Sequence, residues 1–440
     1  YFINYFLLLI VGKNYLYYKL IFDVFVFINA YLIFQIINKK FSKNIFISLT
    51  SSIVYLSLMS QPWANAEYSE VMSVTFIGAA FYLIIDNEYK KINYYLIGFF
   101  LGVSTLINIG SFLYVLGFAT LVCLYKKNII KKLFISFYGF STVHLLVLFI
   151  YYIKGLIGIY LLTLIKIPLS YTSTETYILY DFRVFLESIF YTSNFLCILF
   201  LILLIYAINI FNDLAISKFE NFQEASYMMF LFLSIIFFFL AGKGYYHHLH
   251  YLIFFIPLTA SFIDSFNMEF ILYSSTTLVI IFYLSASMIG SISNLRNIDN
   301  IYNNYPVKIL SESINDEFED DYKILALDKV LMLFYLDKVN ETYIVHPTNH
   351  NEYFITENLL QFDYIKPNYI ENAIGQKPNI IICSINSKGD LYYPIDKIDM
   401  FTCDEKNYIT SRVVNIEQSV FLSSEYYFNK NINTKILINK

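Results

Sequence analysis

The stretch Glu269–Gly290 reads EFILYSSTTLVIIFYLSASMIG and is followed at once by SISNLRNIDN, Ser291–Asn300. This change in composition decides the fold. The first stretch is apolar over a length that matches one helical crossing of a bilayer, which takes about 20 residues. The second is polar and carries both signs of charge. Towards the N-terminus, similar apolar runs alternate with short polar loops. Towards the C-terminus, roughly the last third of the chain has the mixed composition of a water-soluble domain. Backbone inside lipid has to satisfy its own hydrogen bonds, so the apolar runs are read as helices.

About ten crossings follow from this reading: Tyr15–Asn38, Asn44–Ser60, Glu70–Ile85, Tyr94–Ile107, Gly110–Tyr125, Leu133–Ile153, Asn194–Ile210, Tyr227–Ala241, Tyr251–Phe266 and Glu269–Gly290. Gly110 and the short link before it divide one long apolar run into a helical hairpin. A residue content that is 58% hydrophobic and 20% aromatic, with a mean hydropathy of +0.55, excludes a wholly soluble protein. The net charge of −4 and the lack of a long basic tract give no sign of a nucleic-acid partner. The expected fold is an α-helical polytopic membrane protein, residues 1–292, with a small C-terminal α/β extracytoplasmic domain, residues 293–440.

Lysine and arginine set orientation. One group of loops holds Lys39, Lys40, Lys43, Lys90, Lys91, Lys126, Lys127, Lys131, Lys132 and Lys218. The other holds few bases: none in Gln61–Ser69, and Lys154, Lys166 and Arg183 in the long loop Lys154–Ser193. The first group is therefore read as cytoplasmic. Gln61–Ser69, Lys154–Ser193, Gly242–His250 and everything after Gly290 then lie outside. Within the long loop, the apolar part Gly155–Leu169 is read as lying along the membrane surface. Cys123 and Cys197 lie in apolar spans. Cys383 and Cys403 could pair, but two buried thiols is the preferred reading. The chain opens on Tyr1 and is read as N-terminally truncated.

Two external loops concentrate the chemistry. The first, Gly242-Lys-Gly-Tyr-Tyr-His-His-Leu-His250, gathers three of the six histidines beside a lysine. Lys243, His247, His248 and His250 suit an anionic phosphate, while histidines at this spacing also suit a divalent metal. A belt of Tyr and His at headgroup depth is the plain alternative. The second loop runs from Gln61 to Glu70 and holds the only tryptophan, Trp63, with Glu67 and no base. Glu67 is a candidate general base or metal ligand, or simply a surface charge. Glu70 is read as a helix-start charge favoured by the helix dipole.

Other polar residues carry weaker signals. Lys19 and Asp23 are spaced as a helical ion pair, with a cation reaching a polar cavity as the alternative. Arg183 beside Asp181 reads first as a local salt bridge and His144 as a histidine satisfied by a neighbouring helix. His346 and His350 fall in a turn rich in Pro, Thr and Asn. In the tail, Tyr322–Leu327, Thr342–Val345 and Asn379–Ile385 read as strands and Val330–Leu336 as a helix, which suggests a partly parallel sheet.

Several of these segments together resemble an integral-membrane glycosyltransferase of the GT-C class, in the branch of dolichyl-phosphate-mannose protein mannosyltransferases, glycosyltransferase family 39. The segments are Leu9-Ile-Val-Gly-Lys-Asn14 with Lys19, Asn65-Ala-Glu67, Leu96-Ile-Gly-Phe-Phe-Leu-Gly102, and Gly242-Lys243 through His250-Tyr251 with Pro257. In the tail, His346-Pro and Pro378-Asn-Ile-Ile-Ile382 are similar to the family's small extracytoplasmic domain. The resemblance implies an inverting transferase at the outer face of a bacterial inner membrane. Its donor would be a polyprenyl-phosphate sugar, and its acceptor a lipid, glycan or protein. Glu67 would orient the acceptor or hold a divalent metal. Lys243, His247, His248, His250, Arg183 and Lys19 would serve the donor phosphate. The family's acidic base lies in an earlier external loop, expected before Tyr1. A membrane transporter, or a non-catalytic subunit of an envelope assembly, is the rival reading.

Overall fold

The computed structural model describes residues 7, 10–12, 15–41, 45–59, 64, 68–85, 91–125, 128–172, 222–240, 246–265, 296–303, 305–318, 321–344, 353–385, 408–414 and 433–439. The chain divides into two compact units. One comprises Tyr1–Val11 and Tyr17–Ser291, the other Gly12–Leu16 and Ile292–Lys440.

The first unit is helical among its described residues. Its elements are α1 (Tyr15–Ile36, continued by a π turn Ile37–Phe41), α2 (Ile45–Met59), α3 (Ser69–Ile85), α4 (Lys91–Ile107), α5 (Phe112–Tyr125), α6 (Ile129–Ile153), the short α7 (Ile157–Leu161) and α8 (Ile167–Thr172), α9 (Phe222–Leu240) and α10 (Leu249–Phe255). A 3-10 turn, Tyr246–His248, precedes α10, and a 3-10 segment, Ile256–Ser265, follows it. The expected runs Asn194–Ile210 and Glu269–Gly290 lie outside the described residues.

Among the described residues, three helices are long and apolar enough to cross a membrane: Tyr17–Lys39, Ile129–Ile153 and Phe222–Phe239. At 1.5 Å per residue, the 25 residues of α6 extend about 37 Å, more than the roughly 30 Å of a bilayer core. Only Ser136, Gly139 and Val147 of α6 are buried. Phe134, Phe137, Tyr138, Leu145, Leu146 and Phe149 are exposed apolar side chains on the same helix. A continuous apolar face of this size suits a lipid environment and not water.

Small residues allow the closest packing. Gly98 and Gly102, four apart on α4, meet the backbone of α6 at Ser136 and Phe140, and Gly139 of α6 meets the Tyr95 carbonyl. A Cβ at Gly98 would collide with the Ser136 carbonyl, so the two backbones approach as they do in small-xxx-small crossings. Elsewhere aromatic rings fill the core. Phe81 packs edge-on against Phe255 at 5.3 Å, and Tyr114 lies 5.4 Å from Phe230. Buried phenols find partners, as an apolar interior demands: Tyr55 OH accepts from Asn29 Nδ2 at 3.0 Å and Tyr114 OH pairs with Ser234 at 2.8 Å. His144 is held between Thr105 and Tyr160 at 2.9 and 3.1 Å. The break expected near Gly110 is a 3-10 turn, Ile109–Ser111, capped by Asn108.

The second unit mixes helices with a sheet. Among the described residues its helices are α11 (Ile298–Asn303), α12 (Pro306–Asn315), α13 (Leu331–Leu336), α14 (Tyr353–Gln361) and α15 (Tyr369–Gly375). Strands β1 (Ile324–Ala326), β2 (Ile380–Ile385), β3 (Tyr408–Val414) and β4 (Asn433–Asn439) order as β1-β2-β4-β3. β1 and β2 run parallel, while β4 is antiparallel to both β2 and β3. Continuous burial of Ile380, Ile381 and Ile382 marks β2 as a central strand.

Two expectations change here. The stretch expected as a strand at Thr342–Val345 is not one over residues 342–344. Instead Asn340 forms an isolated bridge to Ile324, and its side chain clasps both the N–H and the carbonyl of Ala326. A side-chain amide thus takes the place of a ladder pair. The preferred pair of buried thiols is also overturned, because Cys383 is disulfide-bonded. It sits fully buried in β2, where the sheet fixes its neighbours. Its partner lies outside the described residues.

Candidate functional site

Glu70 opens the site. It lies in the first turn of α3, where the helix dipole favours a negative charge, as expected from the sequence. The helix start is only part of its setting. Glu70 is 4% exposed, which is costly for a carboxylate unless polar groups surround it. Asn108 Nδ2 donates to Oε1 at 2.8 Å and Ser69 Oγ donates to Oε2 at 3.2 Å. Asn108 is fixed at its other end too, because its Oδ1 accepts from the Gly110 N–H at 3.0 Å and caps the 3-10 turn. One short Asn-Ile-Gly segment therefore ends α4, starts the turn before α5 and aims a donor at Glu70.

The histidine loop meets the same carboxylate. His247 Nε2 stands 3.8 Å from Glu70 Oε1. Glu70, His247 and His248 each offer a ligand atom, and these atoms all lie within 4.8 Å of one another. Aromatic neighbours hold the rings. Tyr68 stacks on His247 at 4.9 Å and 24°, and Phe237 meets His248 edge-on at 5.4 Å and 89°. Burial, and then the neighbouring His247 and His250, hold the His248 imidazole well below its ordinary pKa. At neutral pH the His248 ring is therefore uncharged.

His250 does something different. Its Nε2 lies 3.0 Å from the Ala64 carbonyl, and its Nδ1 is within hydrogen-bond distance of the His247 carbonyl. Both nitrogens face backbone carbonyls, and the one N–H of the neutral ring donates to one of them, so His250 stands between Ala64, before α3, and His247, before α10. His247 and His248 offer ligand atoms beside the carboxylate, while the His250 nitrogens face backbone carbonyls.

Of the remaining expected residues, Lys19 and Asp23 are half-buried on α1, and each has an interaction partner. Glu67, Arg183, Lys243, His346 and His350 lie outside the described residues. Sequence reasoning missed Asn108 as a donor and, for Glu70, preferred a helix-end charge over a base or metal ligand. The available signal was an Asn two residues before a Gly at a helix break, and a carboxylate at the start of an apolar helix.

The chain was compared with protein-family models, with curated proteins and with solved structures, and none of them matches it.

Proposed function

We propose that the chain is an integral-membrane transferase that moves a sugar from a polyprenyl-phosphate donor to an envelope acceptor. The acceptor class would be a lipid, glycan or protein, and the reaction would take place at the outer face of a bacterial inner membrane. The observation that carries this reading is the meeting of Glu70 with His247 and His248 where α3 and α10 begin. A substrate with its tail in lipid and its phosphate at the interface presents its reactive atoms at such helix starts. A carboxylate and two imidazoles are the groups that acid–base and phosphate chemistry use. The motif resemblance described above supports the same class.

In this reading Lys243, close in sequence to His247, holds the donor phosphate through charge-assisted hydrogen bonds, and the histidines stabilise the leaving group. Glu67 and Glu70 orient the acceptor. About ten crossings in the first unit and an extracytoplasmic α/β tail complete the arrangement. Two independent arguments favour that orientation. Lysine crowds the opposite loops, and the disulfide at Cys383 belongs to an oxidising compartment such as the periplasm or cell surface.

The test is transfer from a labelled polyprenyl-phosphate sugar by the protein in proteoliposomes, with membrane extracts as acceptor. Label moving to an extract component, and weakened by Lys243→Ala but largely kept by Lys243→Arg, is the expected result. Absence of transfer across a panel of lipid-linked sugars leaves the transporter or envelope-subunit reading in its place.

A further inference from the structure

The side chains of Glu70, His247 and His248 have a property that phosphate binding does not use. We propose that they form a three-ligand site for a divalent transition metal, zinc by its ligand chemistry, with a further coordination position open to an anionic oxygen. Only the identity of that last oxygen, a donor phosphate, rests on the transferase reading.

The geometry is close to what a metal requires. Ligand atoms bound at about 2.0–2.1 Å to a tetrahedral zinc stand about 3.3 Å apart. Here the carboxylate oxygen and the His247 nitrogen are 3.8 Å apart, and the whole set lies within 4.8 Å. A bound ion would draw these atoms together by about 0.5 Å for the carboxylate–His247 pair and by up to about 1.5 Å for the set. Two imidazole nitrogens disfavour calcium and magnesium, which take oxygen ligands. Two imidazoles with one carboxylate suit zinc, and three protein ligands are the pattern of sites that keep a position open.

The surroundings are also those of a metal centre. Ligating carboxylates are held by outer hydrogen bonds, and Glu70 has two, from Asn108 and Ser69. Tyr68 and Phe237 restrict the two imidazole rings. His250 is excluded as a ligand because both its nitrogens face backbone carbonyls. Charge fits as well. A dication with a single carboxylate leaves a net positive centre, which draws an anion into the open position.

The test uses the whole chain, purified in detergent, stripped with a chelator and titrated with Co2+, whose visible d–d bands report the ligands. The expected result is a nitrogen- and oxygen-ligated spectrum that saturates at one equivalent per chain and is displaced by Zn2+. Glu70→Gln and His247→Ala should each weaken metal binding tenfold or more. Asn108→Ala should weaken it to a similar degree through loss of the outer hydrogen bond, while His144→Gln, away from the cluster, leaves it unchanged. A wild-type protein with no such spectrum, or a Glu70→Gln variant that binds as tightly as wild type, overturns the proposal. Where a variant fails to fold, the wild-type spectrum alone decides. Metal binding without sugar transfer removes the transferase reading and leaves the metal site standing; transfer by a protein that binds no metal does the reverse.

Discussion

The cluster at Glu70 and the hydroxyl network one helical turn along α3 share an origin in the same helices, yet they are different kinds of site. In the network, Ser73 Oγ lies 2.7 Å from both Ser104 Oγ and Ser111 Oγ, and accepts from Tyr251 OH at 2.9 Å. Ser111 and Tyr251 complete a ring at 3.2 Å. Every member is neutral, and each is partnered by another hydroxyl from a different helix. In the cluster, three residues earlier on α3's side and three to four earlier on α10's, the groups are ionisable and converge on one carboxylate. Both sites are buried and polar. Burial of polar atoms therefore does not separate the two. In the proposed reading the functional signal is ionisable groups brought together at helix starts, because placing them there carries a cost that packing alone does not call for.

The sharpest way to break this contrast is Glu70→Gln. The amide keeps the volume, and its carbonyl oxygen can still accept from Asn108, so folding is preserved while the charge facing the histidines is lost. Transfer in the labelled-sugar assay should fall about a hundredfold, ~2.7 kcal/mol of transition-state stabilisation. A variant with wild-type turnover would place Glu70 beside the serines as a structural residue.

His250 tests the boundary between the two sites, since it adjoins both His248 and Tyr251. His250→Ala removes the ring that stands between the Ala64 and His247 carbonyls, together with its single N–H donor. The expected loss is about 2 kcal/mol of stability, read as a lower midpoint of thermal unfolding in detergent. A midpoint within error of wild type would show that the loops before α3 and α10 are held by other contacts.

How much of this was legible in the sequence follows from the range of each interaction. Helices set by composition were readable. Ser69–Ile85 was expected at Glu70–Ile85 and Ile45–Met59 at Asn44–Ser60, because an apolar run in lipid has little choice but to be helical. The break at Gly110 was readable because its cap is local. In the tail, β2 was readable as a buried apolar run after Lys377-Pro. By contrast, β3 (YITSRVV) and β4 (NTKILIN) mix polar and apolar residues, and pairing rather than pattern makes them strands. The density of His247, His248 and His250 flagged their loop, but not that one of the three turns to backbone. For Glu70 the local arguments were the helix dipole and a face shared with Glu67, and the dipole was preferred. Its contacts with Asn108 and His247 span long stretches of chain, and no spacing rule reaches across them.

Ser73→Ala should have the smallest effect and is the control that gives the others meaning. Ser73 is fully buried at the centre of the ring, so its removal tests the network at its most connected point. Three features limit the loss. Tyr251 keeps its bond to Ser111, Ser104 keeps the Ser73 backbone carbonyl at 3.2 Å, and alanine is itself a favourable helix residue with no polar atom to bury. Hydrogen bonds between membrane helices average about 0.6 kcal/mol, so the expected cost is ~1 kcal/mol. The measurement is paired: the unfolding midpoint and the transfer rate of the same preparation. A slightly lower midpoint with transfer within about twofold of wild type keeps the network structural. A large fall in transfer at an unchanged midpoint would make Ser73 part of the chemistry, and the line between cluster and network would have to be redrawn to include Tyr251.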